Sequence, residues 1–246
     1  MKVVSSKLTD TEVLRFEQTT RTHSQGSQTV CALGPVSLEI HAGEFIAIMG
    51  PSGSGKSTFL SLAGALDTPT NGRVFLRGED FSDFSSNRLA ELRRNSIGYV
   101  FQDLNLLPGL TAVENVALPL ELNGVAQTEA RGQAIEALER VQLDRLALRF
   151  PDDLSGGEQQ RVAIARAFVG PRSLLLADEP TGALDSVTGE LVMRLLRTEC
   201  DGGRTTVLVT HDASHAAWAD RVLYLRDGQF VDGVAAGSPG QLERVH

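Results

Sequence analysis

Short apolar runs alternate with helix-period stretches along most of this chain. The runs Val36–Ile40, Phe45–Met49, Val74–Arg77, Ile97–Phe101, Leu174–Ala177, Thr206–Thr210 and Val222–Leu225 have the length and composition of buried strands. Helical spacing predicts helices over Lys56–Leu66, Arg88–Arg94, Ala130–Val141, Gly157–Val169, Val187–Arg197 and Ala213–Ala217. This alternation predicts an α/β fold built on a mainly parallel sheet. From Gln102 to Ser155 the pattern is helical with no clear strand. A helical subdomain over about residues 103–170 is therefore expected, inserted into one domain spanning 1–246.

Composition narrows the class. With 246 residues the chain can bury a substantial core, and 41% hydrophobic and 22% charged residues are ordinary for a globular protein. The net charge of −8 argues against a nucleic-acid partner, which favours a basic face. Cys31 and Cys200 lie far apart with no metal-type spacing, so both read as small buried hydrophobes in a reducing compartment. No apolar run reaches the roughly 20 residues of a membrane span, and MKVVSSKLTDTEVL lacks the apolar core of a signal peptide. Any membrane span is expected on another chain. The short segment after Gly228 predicts no further C-terminal domain.

The chemistry is concentrated in two stretches. Gly50-Pro51-Ser52-Gly53-Ser54-Gly55-Lys56-Ser57-Thr58 fits G-x-x-x-x-G-K-[ST], after an apolar strand and before a helix. Read alone it is a Gly/Ser-rich turn. In that setting the loop turns successive N–H groups toward one centre, and the helix N-terminus adds partial positive charge. Lys56 can then reach the β- and γ-phosphates of ATP, and Ser57 can hold Mg²⁺. Downstream, the strand Leu174–Ala177 ends in Asp178 and Glu179. Sheets of this kind bind ligands at the C-terminal ends of their strands. Asp178 there can hold Mg²⁺ through water, and Glu179 can polarise an attacking water.

Leu154-Ser155-Gly156-Gly157-Glu158-Gln159 sets the subclass. Alone it is a helix cap; behind a phosphate loop and ahead of the Asp-Glu strand it resembles the signature of the ABC ATPase family. Ser-Gly-Gly at a helix start is a second anion site. The resemblance implies that Ser155, Gly156, Gly157 and Glu158 face the γ-phosphate held by a partner subunit, so that a homodimer closes around two ATP. It covers about Val36 to Gly228. It implies the P-loop core with an N-terminal antiparallel β portion, and it assigns further roles. Gln102 resembles the glutamine that senses Mg²⁺ and the membrane partner. Ala183-Leu184-Asp185 resembles the loop that couples the two sites, with a helix cap as its simpler reading. His211 resembles the γ-phosphate histidine. With Ala32-Leu33 aligned to the segment that commonly follows, the adenine-stacking aromatic falls on His23. Phe16 lies too early. The i, i+4 pair His211 and His215 lacks the HExxH glutamate, and zinc is not expected.

Three stretches resemble one branch of the family: Phe101–Pro108, Leu110–Val116 and Pro180–Ser186. That branch serves lipoprotein release, macrolide-type efflux, peptide resistance and cell division. The resemblance implies a separate transmembrane permease subunit with a large extracytoplasmic domain, driven by mechanotransmission, and an ATPase held at the cytoplasmic face of the cell membrane. Leucines in 104–108 would suit such a partner. Signalling to cell-wall enzymes without transport is the alternative. A soluble ABC ATPase acting on nucleic acid would show paired cassettes or long coiled coils, and neither pattern occurs.

Overall fold

A computed structural model describes residues 12–25, 28–182 and 184–231. The early strands form a long hairpin, β1 (Glu12–Gln25) against β2 (Gln28–His41). With β4 (Asn71–Leu76) and β5 (Glu79–Asp80) they make an antiparallel sheet in the order β2-β1-β4-β5. A second sheet is assembled from β3 (Phe45–Met49), β6 (Ile97–Val100), β7 (Leu174–Asp178), β8 (Thr205–Val209), β9 (Arg221–Arg226) and β10 (Gln229–Val231). Its order is β10-β9-β3-β8-β7-β6, parallel throughout except for the β9–β10 hairpin. The predicted mainly parallel sheet and N-terminal antiparallel portion are both present.

The parallel strands are apolar on both faces because both are covered. Along β7, Leu174 and Leu176 face a core shared with the antiparallel sheet and α1 (Lys56–Ala63). Leu175 and Ala177 face the other way, into a core shared with the helices. That period of two splits β8 in the same manner, Val207 and Val209 against Leu208.

Between β6 and β7 the chain is helical. α3 (Ala112–Glu121), α4 (Gln127–Arg140) and α5 (Gly156–Phe168) pack on one another. Ala130, Ala134, Ala137 and Leu138 give α4 its buried stripe. The loop before α3 is clamped by buried Asn115, whose Nδ2 donates to the carbonyls of Leu107, Leu110 and Thr111 while its Oδ1 accepts from Leu107 N–H. The remaining helices are α2 (Ser86–Ser96), α6 (Ser186–Asp201) and α7 (Ala213–Ala216).

Three expectations need correction. The run Val36–Ile40 is only the end of a 14-residue strand, and β1 beside it is a full strand that the apolar pattern did not delimit. α3 is a distinct helix not delimited by spacing, because Pro119 and a polar-to-apolar shift blur its period. Cys200 is buried, its thiol pushed up to about 11 chiefly by desolvation. Cys31 is exposed. It lies on the part of the β1–β2 hairpin that runs past the core, where regular burial begins only at Leu33.

Candidate functional site

The loop from Gly50 to Gly55 leaves the buried end of β3 and enters α1 at Lys56. Two of its glycines are required by space as well as by conformation. Gly50 has φ +152°, and a Cβ there would lie 2.1 Å from the carbonyl oxygen of Leu225. Gly55 has φ +104°, and a Cβ there would lie 2.4 Å from that of Ala32. The loop is thus wedged between β2 and the β9–β10 turn, where Gly228 N–H donates to Ser54 O at 2.9 Å.

In front of it opens a cleft of about 770 Å³. It gathers Ser52, Gly53, Gly55, Lys56, Ser57 and Thr58 with Gln102, Asp178, Glu179 and His211. Gly50, Pro51 and Ser54 do not line the cleft, and Ser54 is buried. Lys56 Nζ donates to the loop's own carbonyls, Gly50 O at 2.7 Å and Pro51 O at 2.9 Å. That places its charge over the loop's mouth, where an incoming phosphate can take it.

The acids emerge from β7, two strands away across β8. Burial raises the Asp178 pKa, and the nearby Glu179 charge adds to this. The Ser57 hydroxyl and the Lys56 ammonium work against it. A half-buried carboxylate beside a hydroxyl is a fitting place for a hard divalent cation. Among the described residues no cluster of three or more His, Cys, Asp or Glu exists to cage a metal. Asp178 with Ser57 offers the one carboxylate and hydroxyl that Mg²⁺ can use, its shell being completed by water and substrate phosphates. Glu179 follows in a left-handed conformation, φ +45°. Its Oε2 accepts from Thr210 Oγ1 at 3.2 Å, and its Oε1 lies 2.8 Å from His211 Nδ1. The Glu179 contact holds the His211 pKa above its ordinary value. His215 bonds elsewhere, 3.0 Å from Thr181 Oγ1.

Several expected residues stand outside this cleft. Ser155 is the N-cap of α5 and forms a capping box with Glu158. Ser155 Oγ accepts from Glu158 N–H at 3.3 Å and lies 2.8 Å from Glu158 Oε2, and the Glu158 pKa is held low by these Ser155 contacts. Gly156 is exposed, and a Cβ on Gly157 would touch Thr188 and Leu184. Asp185 caps α6 through the N–H groups of Val187 and Thr188. Ala183 lies outside the described residues. His23 is an exposed residue of β1, paired with Val30, which does line the cleft. Sequence reasoning missed Val30, Cys31 and Ala32 at the cleft's rim and Gln160 in its wall. For Gln160 a signal existed: it is a lone amide on the face of α5 that also carries Ile164 and Phe168.

A glycine-rich loop between a buried parallel strand and a helix, facing an acid pair from the next strand but one, defines a P-loop nucleotide hydrolase. The ABC transporter family profile matches residues 33–182. The chain belongs to that family, and it is an ABC-type ATPase. It is 46% identical over 222 residues to the uncharacterized ABC transporter ATP-binding protein MJ0796 of Methanocaldococcus jannaschii, covering 88% of this chain and 94% of that one. YknY of Bacillus subtilis, also an uncharacterized ABC transporter ATP-binding protein, is 45% identical, covering 89% and 95%. The macrolide export ATP-binding/permease protein MacB of Brucella melitensis is 49% identical over 220 residues; the match takes in 89% of this chain and only 34% of MacB. A dimeric post-hydrolysis structure of MJ0796 bound to ADP and Pi superposes with a TM-score of 0.86 at 44% identity, covering 92% of this chain and 99% of that one.

Proposed function

We propose that this ATPase works as a homodimer that closes around two ATP molecules and drives a separate membrane subunit. The observation that carries this reading is the position of Ser155–Gly157. The chain has two helix-start anion sites, and the second does not line the cleft that holds the first. An exposed Ser-Gly-Gly helix start is of use to a phosphate only if another molecule supplies it. The relative MJ0796 is described as dimeric, in support.

Within each site Lys56 and the loop N–H groups hold the phosphates, and Ser57, Asp178 and Gln102 hold Mg²⁺. When bound, Mg²⁺ neutralises charge on the phosphate oxygens. Glu179 accepts a proton from the attacking water, and His211 steadies the γ-phosphate end. His23, at the hairpin beside Val30, contacts the base. The residues about 103–170 act as a subdomain that carries Ser155 toward the partner.

For the membrane subunit, support comes from a mainly apolar groove between the helical region and the parallel sheet. Leu66, Tyr99, Phe101, Leu118 and Leu122 line it, and Leu107 is exposed in the loop above. No helix among the described residues is long and apolar enough to cross a membrane. The name of MacB joins an ATP-binding part to a permease, and this chain matches about a third of it. The ATPase would then sit at the cytoplasmic face, held by its permease, in export, lipid extraction or mechanotransmission.

Size-exclusion chromatography of Glu179→Gln tests the dimer. With Mg-ATP the variant should elute as a dimer, and without nucleotide as a monomer. Elution as a monomer in both conditions would overturn the shared-site reading.

A further inference from the structure

One buried polar group in the cleft wall has no role in the scheme above. Gln160 is only 5% exposed. Its neighbours along α5, Val162, Ala163 and Ile164, are all buried. Its side-chain Nε2 has no hydrogen-bond partner. An orphaned buried donor is destabilising, and a position needed only for packing would favour Leu or Met. Yet Gln160 lines the nucleotide cleft, in company with Gln102, Asp178, Glu179 and Gly182. Its unpaired donor is therefore placed where an oxygen acceptor can arrive with a ligand.

We propose that Gln160 is an ATP-recognition residue: its Nε2–H donates to an oxygen that comes with the γ-phosphate and is missing from ADP. The proposal rests on the reading that the Asp178–Glu179 end of the cleft receives that phosphate. Those two carboxylates repel an anion, so each added donor at that end counts toward selecting it. Gln160 also stands five positions after Ser155 on one helix. Helix α5 would then touch its own chain's nucleotide through Gln160 and the partner's through its N-terminus. A single rigid element would report on both sites.

The test uses the full chain in EDTA, where hydrolysis is off. Gln160→Leu and Gln160→Met keep the volume and remove the donor. ATP and ADP affinities are measured by calorimetry, and unfolding temperature without nucleotide is followed alongside. For both variants the ATP dissociation constant should rise about tenfold, the worth of one hydrogen bond to a charged oxygen. The ADP constant should stay within about twofold, and the unfolding temperature should hold or rise, because an unsatisfied donor has gone. An unchanged ATP-to-ADP ratio in the variants overturns the proposal and makes Gln160 a packing residue. Lys56→Ala, run in parallel, guards the underlying reading. If that variant binds ATP as tightly as the wild type, the cleft itself is misassigned, whatever Gln160 does.

Discussion

At the scale of single residues, Glu179 sets the charge state of His211. The carboxylate meets His211 Nδ1 at 2.8 Å and raises the imidazole's pKa. A raised pKa means the contact favours the folded, protonated form; it is fully present at low pH and fades as pH climbs through the raised value. Glu179→Gln removes the charge that raises it. The His211 midpoint, followed by NMR of the exposed ring's protons, should fall toward the ordinary histidine value; an unmoved midpoint would separate the two side chains electrostatically. The same substitution should lower ATP turnover by about 10²-fold or more, the scale of a lost general base. His23 gives a second test. It offers less π-surface than tyrosine, and stacking is worth roughly 1–3 kcal/mol per base. His23→Tyr should tighten ATP binding severalfold, and the wild type should accept GTP nearly as well as ATP. Calorimetric titration of both nucleotides checks this. A strong wild-type preference for ATP, unchanged by tyrosine, would assign base recognition to another residue.

At the scale of elements, the helical region is held by its caps. Thr111–Glu114 starts α3 and Ser155–Glu158 starts α5, each as a capping box. In both, contacts with the capping residue depress the glutamate's pKa. A depressed carboxylate contributes stability above its unfolded pKa and loses it as pH falls through the folded value. Helical content should therefore yield to denaturant sooner at about pH 3 than at pH 7, and Glu114→Gln with Glu158→Gln should narrow the difference. Equal denaturant midpoints at both pH values in the wild type would count against the caps. Capping was legible in the sequence at Ser155 and Asp185, because a cap is a local pattern. The phosphate loop, the Asp-Glu strand and each buried parallel strand were legible for the same reason: each is one contiguous run. What was lost needed distance. β1 reads E-V-L-R-F-E-Q-T-T-R-T-H. Its apolar residues stop at Phe16, and only pairing with β2 and β4 keeps the rest extended. Gln160 joins the cleft because α5 packs beside residues remote in sequence, and Cys31 is exposed because its hairpin overruns the core.

At the scale of the whole molecule, the helical region is tied to the sheet by a small ionic cluster. Buried Glu199 of α6 pairs with Arg140 of α4 and, at 3.0 Å, with Arg204, which also donates to Phe168 O at the end of α5. Glu199→Ala would leave two arginines facing each other. The cost should be about 3 kcal/mol, the low end for a broken buried pair because Arg140 is half-exposed, and a denaturant titration would read it. Between molecules, Ser155→Arg should leave ATP binding by the isolated chain intact and abolish turnover. Mixing it with Lys56→Ala rebuilds one site with both cradles sound, and some activity should return. Loss of ATP binding by the Ser155→Arg monomer would place the signature in the chain's own site. The Ser155 hydroxyl has one hydrogen, and it already points within 2.8 Å of a carboxylate. In the proposed dimer a partner's phosphate would have that hydrogen only if Glu158 gave it up, so two anions would contend for a single proton on closure. On the proposed dimer reading, the closed state would be latched against a spring that each subunit carries in its own first turn of helix, and release of phosphate would let the spring recoil.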